Sequence, residues 1–316
     1  MDELLRQRIR GCAVGAAVGD ALGMPLEFGP ARPADRLVRE MQRGRLPAGT
    51  FTDDTEMALA LAESLLACHP LDPADLARRF AAWYGTHPPD VGNQTRLVLS
   101  RVASGEPWAK AVAAVQARNP GSAGNGSVMR CWPVALAYRN DYGGLVAASR
   151  LQSEVTHPHA ECVAGSAFIN SVIFFLLQGA SPDFAVSESI ARLKHELPPP
   201  LVETIEAAPR QHRSGPSNSG WVRHTVQSAV WGLLTTDSFE EAVIQVANLG
   251  DDADTAASVA GALAGAAYGL DAIPRPWRDT LTGESAWPPR RTWRAVDLMA
   301  LADALSALAP DSEETD

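Results

Sequence analysis

Residues 255–269 read TAASVAGALAGAAYG, a stretch that is small or apolar on every face of a helix. A helix without a polar face is buried on all sides, so we expect this one at the centre of the fold. Gly261 and Gly265 lie four residues apart on one helix face and would let a neighbouring helix approach closely. The stretch therefore predicts a central helix around which other helices pack.

Helical periodicity continues through most of the chain, and alternating β-branched runs are nearly absent. We find no repeat of about 30–50 residues and no clear domain boundary. The fold prediction is therefore one all-α domain over 1–309, followed by an acidic disordered tail at 310–316. Irregular segments are expected at 24–51 and 209–219. The other helices are predicted at 3–19, 55–68, 73–85, 93–104, 106–117, 128–138, 142–153, 159–178, 182–196, 221–235, 238–247 and 292–308.

The composition narrows the class of protein. The chain has 316 residues, of which 46% are hydrophobic, and a formal net charge of −10. This acidic balance argues against a nucleic-acid partner, because phosphate binding needs clustered Lys and Arg.

Four cysteines without CxxC spacing are expected to be reduced, with disulfides as the alternative. There is no signal-like segment, and the apolar run 168–177 is too short to span a bilayer. We expect a cytoplasmic protein without a membrane partner.

Two acidic clusters precede the central helices, TDDT at 52–55 and GDDADT at 250–255. One interpretation is N-capping of the two helices. Each helix needs one cap, however, and the clusters supply two and three carboxylates without any Lys or Arg among them. Two carboxylates 4 Å apart repel by roughly 4 kcal/mol at an effective dielectric near 20, so facing clusters would need a multivalent cation. Oxygen ligands select Mg²⁺ or Mn²⁺ over zinc.

Four further segments carry candidate residues. Glu27 is a third acidic candidate and follows a predicted turn at 19–23. The GNGS segment at 124–127 fits a phosphate or ribose loop, although a plain Asn-Gly turn is the alternative. His157 is either a substrate contact or a structural loop histidine, and a zinc pair with His159 is disfavoured. Asp90 either caps the next helix or acts as an acid in a site.

Taken together, these segments resemble the ADP-ribosylglycohydrolase family. The resemblance runs in order from about residue 9 to residue 308. The matching stretches are GCAVGAAVGDALGMPLEF (11–28), FTDDTEMALAL (51–61), GNGSVMR (124–130), THPHA (156–160) and NLGDDADTAASVAGALAGAAYG (248–269). The resemblance implies a compact all-α fold with a central cleft that holds two Mg²⁺ or Mn²⁺ ions. One departure is Asp251, where many family members carry glycine.

The resemblance also assigns roles to individual residues. The implied metal ligands are Thr52, Asp53, Asp54, Asp252, Asp254 and Thr255. The implied substrate-binding residues are Gly124, Asn125, Gly126, Ser127, Met129 and His157. Glu27 and Asp90 are the implied catalytic residues. Glu27 matches a family glutamate that contacts a metal or its water. Asp90 lies in a loop whose aspartate approaches the scissile bond in one branch of the family.

The implied reaction is hydrolysis of the glycosidic bond at C1″ of ADP-ribose. We expect an N-linked arginine or another guanidine as the leaving group. An O-linked serine or acetyl conjugate and an inactive ADP-ribose-binding protein are the alternatives. An all-α isoprenoid synthase is disfavoured because its aspartates lie within helices. The expected partner is an ADP-ribosylated protein or a small-molecule ADP-ribose conjugate, and nucleic acid is expected only as an ADP-ribosylated substrate.

Overall fold

Two helices form the centre of the fold, α1 (Glu3–Gly23) and α13 (Ala253–Tyr268), in a computed structural model that describes residues 2–309. They run antiparallel with their backbones in contact. A Cβ on Gly19 would lie 1.9 Å from the carbonyl oxygen of Ala257, and a Cβ on Gly261 would lie 2.0 Å from that of Gly15. The predicted close approach at Gly261 is confirmed. Only residues without a side chain allow such contact.

The described residues contain fifteen α-helices and one short hairpin, which confirms the all-α prediction. The acidic tail predicted at 310–316 lies outside them. Between α1 and α13 the helices are α2 (Asp53–Ala67), α3 (Pro73–Tyr84), α4 (Asn93–Ala103), α5 (Trp108–Arg118), α6 (Trp132–Ala137), α7 (Tyr142–Glu154), α8 (Ala160–Leu177), α9 (Pro182–Leu193), α10 (Pro199–Ala207), α11 (Val222–Thr235) and α12 (Phe239–Ala247). Helices α14 (Arg275–Thr280) and α15 (Ala295–Ser306) follow.

Several predicted boundaries are wrong. Helix α1 continues through the turn predicted at 19–23, where the N–H of Met24 still donates to the carbonyl of Asp20. The helix predicted at 128–138 begins only at residue 132. The helix predicted at 292–308 begins as strand β2 (Arg291–Arg294), which pairs antiparallel with β1 (Thr282–Ser285). Each strand has four residues, too few for an alternating pattern to be recognised.

Helices α10 and α14 were not predicted. Both carry proline in their first turn. Proline is typical of a helix stop, but it is tolerated at the first helical positions because the N–H it lacks would have no partner there.

Helix α8 is the most apolar of the long helices. It is the one helix within residues 2–309 that is long and apolar enough to cross a bilayer by length and composition, and 83% of it is buried inside the protein. This burial is that of a core helix. The four cysteines, all among the described residues, are unpaired.

Candidate active site

A cleft of about 480 Å³ opens beside the N-terminal ends of α2 and α13. Its volume is in the range of small-molecule sites. The predicted site residues that line it are Glu27, Asp53, Asp90, Gly124, Asn125, Gly126, Met129, His157, Asp252 and Thr255. Thr52, Asp54 and Asp254 are buried next to this lining. Ser127 does not line the cleft, because its buried Oγ bonds to the hydroxyls of Ser153 and Ser166.

Asp20, in the last turns of α1, organises the start of α2. Its fully buried carboxylate accepts hydrogen bonds from the N–H and the hydroxyl of Thr52 and from the N–H and the hydroxyl of Thr55, at 2.6–3.1 Å. Neither N-cap residue, Thr52 or Asp252, makes a side-chain capping bond of its own. The capping interpretation therefore does not account for the clusters. Asp20 is not among the residues predicted from the sequence, although an acid inside the small-residue run AVGDALG is a detectable signal.

The two acidic clusters converge, although they are about 200 residues apart in the chain. Carboxylate oxygens of Glu27, Asp252 and Asp254 lie within 4.8 Å of one another. On the α2 side, Oδ2 of Asp54 lies 3.4 Å from Oγ1 of Thr255 and 3.5 Å from Oγ1 of Thr52. The acids predicted from two separate stretches thus face one another in a single cluster.

The carboxyl groups of this cluster have strongly perturbed acidities. Burial, reinforced by repulsion from neighbouring carboxylates, raises the pKa of Asp53, Asp54 and Asp254 well above the usual range. The other oxygen of Asp54, Oδ1, is buried and accepts no hydrogen bond. An unpartnered buried carboxylate oxygen among carboxylates and hydroxyls is what a hard divalent cation would satisfy. The donor set therefore fits Mg²⁺ or Mn²⁺.

Arg45 enters this cluster from the irregular segment 24–51. Its Nη2 lies 2.8 Å from Oε2 of Glu27, 2.7 Å from Oδ2 of Asp90 and 3.6 Å from Oδ2 of Asp254. The acidic clusters themselves contain no Lys or Arg. The compensating charge instead comes from a segment that has no helical or strand pattern.

Asp90 is directed toward this guanidinium rather than toward a helix end. Helix α4 begins at Asn93, and its N-cap is Gly92, two residues after Asp90, with no side chain accepting a capping hydrogen bond. The interpretation of Asp90 as a helix cap is therefore wrong. Its carboxylate lines the cleft together with that of Glu27, and Nη2 of Arg45 contacts both.

Residues 124–126 and His157 form another wall of the cleft. The side-chain amide of Asn125 donates to Oδ2 of Asp252 at 2.7 Å and to Oγ1 of Thr225 at 2.9 Å, which ties the loop to the acidic cluster. Burial lowers the pKa of His157 to about 3, so its ring is neutral. His159 instead caps α8, where its Nδ1 accepts the N–H of Glu161 at 3.2 Å.

Asp251 and Phe28 both have left-handed backbone conformations, with φ of 53° and 60°. They are joined across the cleft edge: the N–H of Phe28 donates to the carbonyl of Asp251 at 2.7 Å, and the N–H of Asp251 donates to that of Gly29 at 2.8 Å. Glycine adopts this conformation without strain, and aspartate is among the few other residues that tolerate it. This explains why a glycine position can hold an aspartate here.

Comparison with known proteins identifies relatives along the whole chain. The family model described as ADP-ribosylglycohydrolase matches residues 1–314. The chain is 35% identical to the ADP-ribosyl-dinitrogen reductase glycohydrolase of Rhodospirillum rubrum, over 94% of this chain and 97% of that protein. It is 34% identical to the ADP-ribosylarginine hydrolase Tri1 of Serratia proteamaculans, over 97% and 81%. A solved structure described as an ADP-ribosylglycohydrolase-related protein complex superposes with a TM-score of 0.80 at 32% identity, over 98% of this chain and 100% of that one. The chain belongs to the ADP-ribosylglycohydrolase family.

Proposed function

We propose that this protein is a metal-dependent hydrolase that releases ADP-ribose by cleaving the glycosidic bond at C1″. The family supports an ADP-ribose glycohydrolase and an ADP-ribosylated substrate in general. The observation that carries the metal dependence is the convergence of Glu27, Asp252 and Asp254 beside the unpartnered Oδ1 of Asp54.

Two Mg²⁺ or Mn²⁺ ions would be held by Thr52, Asp53, Asp54, Asp252, Asp254 and Thr255. When bound, such ions polarise a water molecule and orient the hydroxyls of the distal ribose. Thr52 is suited to this role because its hydroxyl donates to Asp20 at 2.8 Å. Because the proton of this hydroxyl is donated to Asp20, the lone pairs of its oxygen remain available to coordinate a cation.

The residues of this chain would act on the sugar and on its protons. The backbone of the 124–126 loop and the ring of His157 would bind the diphosphate and ribose oxygens. The carboxylates around C1″ would stabilise the cationic oxocarbenium that develops as the bond breaks. Glu27 and Asp90 line the cleft and would move protons to and from the leaving group and the attacking water.

We further propose that the leaving group is the guanidine of arginine or a similar compound, carried by a protein or a small-molecule conjugate. The support is the position of Arg45, whose guanidinium Nη2 contacts the carboxylates of both Glu27 and Asp90. A pair of acids that accepts one guanidinium can accept another, because the shape and charge of the group are the same. The relative from Serratia proteamaculans is named for ADP-ribosylarginine.

Release of ADP-ribose from ADP-ribosyl-arginine and from ADP-ribosyl-serine, with Mg²⁺, with Mn²⁺ and in chelator, tests both proposals. We expect metal-dependent turnover and a preference for the arginine conjugate. Asp90→Asn should lower turnover about 10²–10⁴-fold, the usual contribution of a general acid or base, with ADP-ribose affinity nearly unchanged. Asp35→Asn removes an exposed carboxylate as the control. Full activity in chelator would contradict the metal dependence, and a serine preference or a fully active Asp90→Asn would contradict the linkage.

A further inference from the structure

Arg130 is a fully buried cation whose partners are all neutral. Its guanidinium donates to Oε1 of Gln152 at 3.1 Å, to the carbonyl of Gln152 at 2.9 Å and to Oγ1 of Thr156 at 2.7 Å, and it lies 4.2 Å from the centre of the Phe80 ring. Within residues 2–309 it forms no ion pair. Buried charges are ordinarily paired with an opposite charge. The proposed reaction gives Arg130 no role, so its burial calls for another explanation.

Thr156 connects Arg130 to His157. The hydroxyl oxygen of Thr156 accepts from Nη2 of Arg130 and lies 2.8 Å from Nδ1 of His157. Arginine has no acceptor atom, so the hydroxyl proton cannot point back toward it. In the described part of the chain, Nδ1 is the one acceptor within bonding distance of this hydroxyl. The Thr156 proton is therefore donated to Nδ1, and the ring proton of neutral His157 must be on Nε2.

The Nε2 edge of the His157 ring faces the cleft. A Cβ added to Gly126 would lie 3.1 Å from Nε2, and one added to Gly124 would lie 3.6 Å from it. Both glycines line the cleft together with the ring. An N–H group at this position is directed at the space above the 124–126 loop, where an oxygen-rich ligand group would lie.

We propose that Arg130 and Thr156 are positioning residues that hold His157 in its Nε2–H tautomer, so that the ring offers one fixed hydrogen-bond donor to the diphosphate or ribose oxygens of ADP-ribose. The ligand in this inference rests on the proposed function. The tautomer itself rests only on the contacts among the three side chains. The device explains why a cation without a counter-ion is buried there: it orients the Thr156 hydroxyl and disfavours a second charge on the adjacent ring.

Nitrogen NMR of histidine-labelled protein tests the tautomer directly. In the free wild-type protein we expect an unprotonated Nδ1 and a protonated Nε2 at His157, unchanged from about pH 5 to pH 8, where an ordinary histidine titrates. The signal is assigned by its loss in His157→Gln. Thr156→Val has nearly the same shape but no hydroxyl, and Arg130→Met removes the donor that keeps the hydroxyl proton directed at Nδ1. Both should give a mixture of tautomers, whereas Thr156→Ser should keep the wild-type spectrum.

Affinity for ADP-ribose gives the second readout. Thr156→Val should bind it about tenfold more weakly or worse, the usual effect of losing an oriented hydrogen bond to a charged group, while Thr156→Ser binds normally. An unchanged tautomer in a folded Thr156→Val variant, or unchanged ADP-ribose affinity, would overturn the inference. If the wild-type protein binds no ADP-ribose, the proposed function fails, and the spectrum of the free protein still decides whether the relay exists.

Discussion

Arg45 places a guanidinium against carboxylates that are expected to hold metal ions. Its charge and a cation compete for the oxygens of Glu27 and Asp254. We predict that Arg45→Gln tightens Mn²⁺ binding by up to about fivefold, because half-exposed ion pairs contribute about 1 kcal/mol or less. Titration followed by electron paramagnetic resonance measures this affinity. Arg43→Gln, which removes the same charge from an exposed side chain of the segment, is the control. Unchanged or weaker Mn²⁺ binding in Arg45→Gln would contradict the competition.

At this scale, the sequence supported predictions of those site residues that are clustered along the chain. TDDT and GDDADT could be interpreted as a cation site because each cluster carries more acids than one helix needs for its N-cap. Asp20 and Arg45 act instead through contacts with distant segments. Nothing local distinguishes Arg45 from its exposed neighbours, since its partners come from three separate parts of the chain. Such residues become recognisable only when the fold has brought those parts together.

Among the elements, the contact between α1 and α13 positions the site, because Asp20 and Asp254 lie at the ends that meet. We predict that Gly19→Ala destabilises the protein by about 1–3 kcal/mol or more, since its Cβ would meet the Ala257 carbonyl at 1.9 Å and backbone cannot easily yield. Mn²⁺ affinity should fall with it. Urea unfolding measures the loss. Gly121→Ala is the control, because a Cβ there meets nothing within 4 Å. A Gly19→Ala variant as stable as wild type would show that the helices can separate freely.

The same element scale shows why some helices were predictable and others were not. The α13 stretch is unambiguous because small residues repeat over its whole length. Helices α10 and α14 are short and begin with prolines, so the signal for a stop and the signal for a start coincide. The hairpin is held partly by tertiary packing: a Cβ on Gly283 would lie 2.2 Å from the Phe51 ring. Packing of that kind has no local signature.

Across the whole molecule, the acidic cluster links three quantities: the protonation of its carboxyl groups, metal binding and the stability of the fold. Burial raises the pKa of Asp20, Asp54 and Asp254. It also raises the pKa of Glu56, just behind them on α2, from 4.5 to about 7. A carboxyl group whose pKa is higher in the folded state than in the unfolded state binds more protons when folded. Its contribution to stability is therefore present at low pH and is lost as the pH rises through the folded pKa.

The direction of this pH dependence gives a prediction that distinguishes a metal site from an acidic cluster that is only buried. In chelator, the melting temperature should fall as the pH rises from about 4.5 toward 7 and beyond, the window of Glu56. A cation binds the ionised carboxylates, so Mn²⁺ should stabilise more as the pH rises, reaching about 2.7 kcal/mol at a hundredfold excess over Kd. Melting curves at several pH values, with and without Mn²⁺, measure both slopes. Glu56→Gln should make the slope in chelator shallower, because the amide does not titrate, yet it should leave the gain from Mn²⁺ largely intact. Parallel pH profiles with and without Mn²⁺ would mean that the carboxyl groups do not release protons to bind metal. The charge of the acidic cluster would then be compensated by another cation, of which Arg45 is the nearest.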